Sequence, residues 1–169
     1  MLNQDQIELG GVIEGFFQIN LISVDSQTVE YGYYHNRELE DGEEGFDNIS
    51  TWLFNLLKIC EMIDQTKYVA IKDTESFSTW LEFILNGHEL NVSVMQLEDC
   101  IIEDILTSPK EQRLYPEWRD IKINKDVFKV EVVNKTKKFI ADLSQLNPVL
   151  SMSKTVIDLQ SLLNQWESE

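Results

Sequence analysis

Cysteine is nearly missing from this sequence. Cys60 and Cys100 stand alone in apolar runs with no second pair to build a disulfide framework, so both read as small core residues of a chain kept in a reducing compartment. Histidine is as scarce. His35 and His88 do not stand at ligand spacing from either cysteine, which argues against a transition-metal site, and His88 beside Asn86-Gly87 is expected to be an exposed turn residue. The longest apolar stretch, around Trp52 to Cys60, is broken by Asn55 and Lys58 and falls short of the roughly 20 residues a membrane span requires. The first residues, Met1-Leu2-Asn3-Gln4-Asp5, have neither the basic nor the apolar region of a signal peptide, so a cytoplasmic location is expected. Catalytic signatures are missing as well: there is no Gly-x-Ser-x-Gly, no glycine-rich phosphate loop and no His-Glu-x-x-His. No cofactor and no catalytic residue are expected.

Positive charge is the other shortage, and it is uneven. Residues 1–105 hold 21 of the 30 Asp and Glu against four basic residues (Arg37, Lys58, Lys67 and Lys72), a net charge of −17. Residues 106–169 hold the other nine acids against ten Lys and Arg, a net charge of +1. Like charge on a folded body repels itself, and the reasons to keep it are solubility or a cationic partner that it steers. Such a surface is repelled by phosphate backbones and by anionic lipid, so neither nucleic acid nor membrane is expected as a direct partner.

What is present suits a globular fold. At 169 residues and 43% hydrophobic, with eight Phe, five Tyr and four Trp, the chain can bury a core and reads as a single domain, residues 1–169. Residues 1–106 form its acidic, sheet-rich part and 107–169 its C-terminal helical part. Alternation from Glu8 to Val24 predicts a long strand, with Gly10-Gly11 and Gly15 as places for a bend. Asp25-Ser26-Gln27 is a turn, and Thr28 to His35 completes a hairpin. With Asp47 or Asn48 as N-cap, the apolar positions Trp52, Leu53, Leu56, Leu57, Ile59, Cys60 and Ile63 predict an amphipathic helix on the sheet. Lys67 to Lys72 is a strand. Phe77 to Leu85 and His88 to Gln96 flank Asn86-Gly87, the signal for a hairpin closed by a type I′ turn. Leu97 to Leu106 is expected to be a short helix, and Leu114 to Asp120 an irregular link. Asp126 to Leu146 and the stripe Met152, Val156, Leu159, Leu163, Trp166 predict two closing helices, hinged at Asn147-Pro148 and packed as a hairpin on one sheet face. The fold class is thus α+β, an antiparallel sheet built from hairpins with one helix after the first hairpin. Trp52, Trp80, Trp118 and Trp166 read as packing residues.

The densest polar feature is the run from Glu38 to Asp47, with carboxylates at Glu38, Glu40, Asp41, Glu43, Glu44 and Asp47 and only Arg37 beside them. A solvated loop is one reading of it. A docking loop is the other, because the aromatic Tyr33 and Tyr34 precede it, Phe46 lies within it and a helix N-terminus follows. A second cluster, Glu98, Asp99, Glu103 and Asp104, lies in the same acidic part. The run lacks the ligand register of a calcium loop, and no metal is expected.

A small, acidic, cysteine-poor chain of this pattern, with the stretches Phe128-Lys129-Val130-Glu131-Val132, Phe139-Ile140-Ala141-Asp142-Leu143 and Leu146-Asn147-Pro148-Val149-Leu150, resembles the immunity proteins of bacterial polymorphic and contact-dependent growth inhibition toxin systems. The resemblance implies a non-catalytic, stoichiometric inhibitor of a cationic toxin domain such as a nuclease. On that reading, Glu38, Glu40, Asp41, Glu43, Glu44, Asp47, Glu98, Asp99, Glu103 and Asp104 meet the basic partner, with Tyr33, Tyr34 and Phe46 as anchors. The alternatives are an acidic adaptor or nucleic-acid mimic bound to a basic protein and, third, an enzyme with unrecognised motifs.

Overall fold

The computed structural model describes residues 13–15, 17–33, 47–98 and 101–167, with the side chains of Tyr33 and Glu167 excepted. The protein is α+β with antiparallel sheets and a C-terminal helix pair packed against them. The strands are β1 (Glu14–Gly15), β2 (Phe17–Ile22), β3 (Thr28–Tyr33), β4 (Asp47–Asn48), β5 (Tyr68–Lys72), β6 (Thr79–Asn86), β7 (Glu89–Leu97), β8 (Ile105–Leu106), β9 (Arg113–Leu114) and β10 (Ile121–Asn124). The helices are α1 (Ile49–Thr66), α2 (Lys125–Leu146) and α3 (Lys154–Glu167), with a 3-10 turn at Pro148–Met152 between the last two.

The main sheet runs β10-β7-β6-β5-β8, and β9 joins β7 beside β10. Its spine is the β6–β7 hairpin, paired from Thr79↔Gln96 to Asn86↔Glu89. That register leaves Gly87 and His88 as the two turn residues. Only Gly87 has a positive φ, 62°, so the turn is of the II′ kind with glycine first, and the expected type I′ turn at Asn86-Gly87 is displaced by one residue.

The N-terminal strand is divided where a single long one was expected. Gly15 pairs with Asp47 while Phe17 pairs with Tyr33, so the chain changes partner within two residues. At Gly15 an added Cβ would lie 2.5 Å from Ile49 Cδ1, so a side chain there would have to displace the tip of Ile49 at the start of α1. The β2–β3 hairpin closes at Ser26 (φ 66°) and is tied to β10 by the Val24 N–H, which donates to the Lys122 carbonyl at 2.8 Å.

Helix α1 begins at Asn48, whose side chain accepts from the Thr51 N–H at 2.9 Å, and ends at Lys67 in the left-handed region. Trp52, Leu56, Ile59, Cys60 and Ile63 are buried against Val69, Ile71, Leu81, Phe83, Val92 and Val94 of the sheet. Leu159 and Leu163 of α3 and Val132 and Val133 of α2 enter the same cluster, so both terminal helices lie on this side with α1. Residues 147 and 148 separate them as expected: Asn147 is extended ahead of Pro148, and its side chain caps the 3-10 turn.

The opposite sheet face is covered too. Tyr68, Ala70, Trp80, Met95, Leu97 and Leu106 form a second apolar cluster, roofed by Ile101 and Tyr115. This overturns the expected helix over Leu97 to Leu106. Leu97 is the last residue of β7, Ile105 pairs with Ile71, and the Lys72 N–H donates to the Asp104 carbonyl at 2.9 Å. The free edge of β5 needs backbone partners and the second face needs an apolar cover, and residues 101–106, with Ile101 on the second cluster and Ile105 and Leu106 paired to β5, provide both.

Burial lifts the pKa of the Cys60 thiol to about 12, so it is a packing group, as its apolar context suggested. Cys100 lies outside the described residues. At the far end of α1, Asp64 accepts from Lys125 (2.7 Å) and Lys129 (2.6 Å) of α2. These hydrogen bonds hold its carboxyl at about 2, below the ordinary 3.8. A depressed folded-state pKa contributes stability that is present above the unfolded value and lost as the pH falls through the folded one. Urea unfolding of the natural chain and of Asp64→Asn should therefore differ near pH 6 and converge between about pH 4 and pH 2. A difference that stays constant down to pH 2 would contradict this role for the two lysines.

Candidate protein-docking site

Strand register gathers acidic residues at one end of the main sheet. β5 ends there at Lys72, β6 begins there at Thr79, β7 ends there at Leu97, and β8 begins there after Asp104. Asp73, Glu75, Glu98, Glu103 and Asp104 therefore share that end although they are up to 31 positions apart. Glu75, Glu98, Glu103 and Asp104 are exposed. The ammonium of Lys72 turns back over the Trp80 ring (5.9 Å) and donates to the Ile101 carbonyl at 3.0 Å, so the one cation of β5 is held against the sheet's second face. At the opposite end lie Lys67, the Gly87-His88 turn and Lys125, whose N–H donates to the His88 carbonyl at 3.0 Å. The pair formed by Lys125 and Lys129 with Asp64 lies at that end. Carboxylates predominate at the first end, where Lys72 and Arg113 also stand, whereas at the other Lys67, Lys125 and Lys129 are mixed with Asp64 and Glu89.

Asp47 stands at the acidic end, but its carboxylate works inward. It accepts from the indole N–H of Trp52 at 2.8 Å, from the Thr74 hydroxyl and from the Asn48 N–H at 2.7 Å. Trp52 is fully buried, stacks on Phe17 with ring centroids 5.0 Å apart and meets the edge of Tyr31 at 5.9 Å. The Tyr31 hydroxyl donates to the Asp73 carboxylate, and burial followed by that negative charge drives the phenol pKa well above its usual 10. Asp47 and Asp73 thus pin the β4–α1 start and the 73–78 loop to a shared aromatic floor.

Of the residues predicted to dock a partner, Glu98, Glu103 and Asp104 are brought together on this surface, and Asp47 sits beside them in an internal network. Tyr33 pairs through its main chain with Phe17. Tyr34, Glu38, Glu40, Asp41, Glu43, Glu44, Phe46 and Asp99 lie outside the described residues, as does the side chain of Tyr33.

Two features went unread in the sequence. One is a buried charge: Glu82 in the middle of β6 is 1% exposed and accepts from Arg113 Nη1 at 2.6 Å and from the Tyr115 hydroxyl at 2.9 Å. Its strand neighbours Ala70 and Ser93 are small, which leaves room for the carboxylate. Burial opposes the charge of Arg113, and the hydrogen bond and charge of Glu82 outweigh it, leaving that pKa raised. Burial and then Glu82 raise the pKa of Tyr115, and they do the same for Tyr68. The available signal was a lone acid in Trp80-Leu81-Glu82-Phe83-Ile84, a strand otherwise apolar. The second feature is apolar and exposed: Phe77 (86%) and Ile102 (92%) protrude at the acidic end. Ser76 and Ser78 on either side of Phe77 were the turn signal that its assignment to β6 ignored.

Among the described residues no group of three or more His, Cys, Asp or Glu is placed to hold a metal ion, and no helix is long and apolar enough to cross a membrane. A groove of about 590 Å³ runs between α1 and α3, lined by Leu57, Glu61, Leu162 and Trp166, away from the acidic end. Comparison with protein-family models, with curated proteins and with solved structures finds no match to this chain.

Three substitutions separate fold-building carboxylates from exposed ones. Asp47→Ala leaves the buried Trp52 indole N–H without an acceptor and should lower the unfolding free energy by about 1–3 kcal/mol. Arg113→Ala strips the buried Glu82 of its cation and should cost about 3 kcal/mol, while Glu103→Gln should change stability by less than about 0.5 kcal/mol. Equal effects from all three in chemical denaturation would refute the division.

Proposed function

We propose that this protein is a non-catalytic immunity protein of the bacterial toxin–immunity kind, which binds and neutralises a cationic toxin domain, a nuclease by preference, in the cytoplasm. The observation that carries this reading is the meeting of exposed carboxylates from separate parts of the chain at one sheet end, while Lys125 and Lys129 are committed to Asp64 at the other. A domain that binds nucleic acid presents a positive surface, and an opposed anionic face accelerates encounter toward about 10⁸–10⁹ M⁻¹s⁻¹ at low salt. Speed is what an inhibitor needs when its target damages the cell that holds both. Inhibition is by occupation: the acidic end covers the surface on which the toxin would seat phosphates, with no bond made or broken.

The net charge of −16 gives the steering long range only at low ionic strength, because the screening length is about 10 Å at 0.1 M salt. The test pairs the purified chain with the basic protein that co-purifies with it at equal stoichiometry from its native host. That partner should arrest cells when produced alone and spare them when this chain is produced with it. Its association rate should drop at least about tenfold between 20 and 300 mM salt, while dissociation changes little. A partner that is harmless to cells, or an association rate indifferent to salt, would overturn the proposal.

A further inference from the structure

Among the described residues, Ile102 and Phe77 are the two most exposed large apolar side chains, at 92% and 86%. Single exposed apolar residues are ordinary on protein surfaces. This pair differs in its position. Phe77 is carried by the 73–78 loop between β5 and β6, which is fastened to the end of β7 by the Leu97 N–H donating to the Ser78 carbonyl at 3.0 Å. Ile102 is carried by the 101–104 segment, which is fastened to the end of β5 by the Asp104 carbonyl and by Lys72 on the Ile101 carbonyl. Both side chains are held out from the same sheet end by backbone that is itself tied down. Glu98, Glu103 and Asp104 add exposed carboxylates at that end.

Held apolar side chains inside a charged rim are the make-up of an interface hot spot: the anchors supply affinity when desolvated, and the rim supplies rate and selection. A second exposed apolar group, Leu146, Val149, Met152 and Ile157 around the 3-10 turn, has no such bias of charge. Near it Lys138 pairs with Asp142, and Lys154 with Asp158. That surface selects no partner by sign, and the acidic end does.

From this, and resting on the proposed function above, we infer that Phe77 and Ile102 are the apolar anchors of the docking surface, and that its occupant is a cationic protein surface with an apolar recess bordered by Lys and Arg. The rim carboxylates act on encounter and the two anchors on residence time. Loss of the anchors should therefore appear in the off-rate, and loss of the rim charges in the on-rate.

A photo-crosslinking phenylalanine analogue, placed singly at 77, at 102 and, as a control at the opposite end, at 127, tests this in the full chain produced in its native host. The protein crosslinked from 77 and 102 is identified, purified and titrated against the natural chain, Phe77→Ser/Ile102→Ser and Glu98→Gln/Glu103→Gln/Asp104→Asn. All three chains should unfold at the same denaturant concentration, since the altered side chains are in solvent. The expected result is a basic protein crosslinked from 77 and 102 but not from 127, bound at least about 30-fold more weakly by the anchor variant through faster dissociation. A basic toxin that binds and is neutralised equally well by the anchor variant overturns this inference and leaves the proposed function standing. An acidic or neutral protein crosslinked from these positions, or none at all, overturns the inference and removes its support from the proposed function.

Discussion

A sheet whose central strands are apolar on both faces has to be covered twice, and that constraint organises the rest of this protein. Tyr68, Val69, Ala70 and Ile71 of β5 are all buried, as are Trp80 to Phe83 of β6. Helices α1, α2 and α3 cover one face. The other is roofed by a largely irregular segment, and Glu82 supplies the fixed point to which it is fastened. Its carboxylate, closed off from water, holds Arg113 of β9 and the Tyr115 hydroxyl, while Trp80 and Met95 receive Ile101 and Leu106. A buried charge with its partners in place is costly to break, and breaking this one would free the roof from the sheet.

The roof also shapes the surface of the sheet end. To travel from the end of β7 to the edge strand β8, the chain has to pass the sheet end where β5 hands over to β6. Acids at 98, 103 and 104 are thereby set beside Asp73 and Glu75, and Ile102 is set on the same surface as Phe77. The carboxylates of that end divide by neighbourhood. Asp47 and Asp73 accept from Trp52, Thr74 and Tyr31 and build the aromatic floor. Glu98, Glu103 and Asp104 stay in water, where their charge is free to act at a distance. The reading as an immunity protein draws on this division of labour: inward acids make the surface rigid, and outward acids make it attractive to a cation.

Local signals made much of the architecture legible. The β6–β7 hairpin, α1 with its Asn48 cap, and the break at Asn147-Pro148 follow from period, cap and turn chemistry, each of which acts over a few residues. What could not be read locally depends on register between distant strands. Glu98, Asp99, Glu103 and Asp104 resemble adjacent helical turns, yet residues 101–106 are not helical, because β5 offers an edge and Trp80 needs a cover, and neither is visible in residues 97–106. Ile101 packs against the second apolar cluster, while Ile102 beside it is in solvent. Of the predicted docking residues, the sequence indicated Glu98, Glu103 and Asp104 by their charge alone. That they share a sheet end with Phe77 follows only from the pairing of β5 with β8 and of β6 with β7.

Amide hydrogen exchange of the chain, free and saturated with the basic partner proposed for it, tests the central claim most directly, because it maps the covered surface without altering a residue. Slower exchange at residues 73–78 and 101–104 on binding, with α2 and α3 unchanged, is the result this account predicts. Protection confined to α2, α3 or the groove between α1 and α3, with the acidic sheet end exchanging as in the free protein, would contradict it.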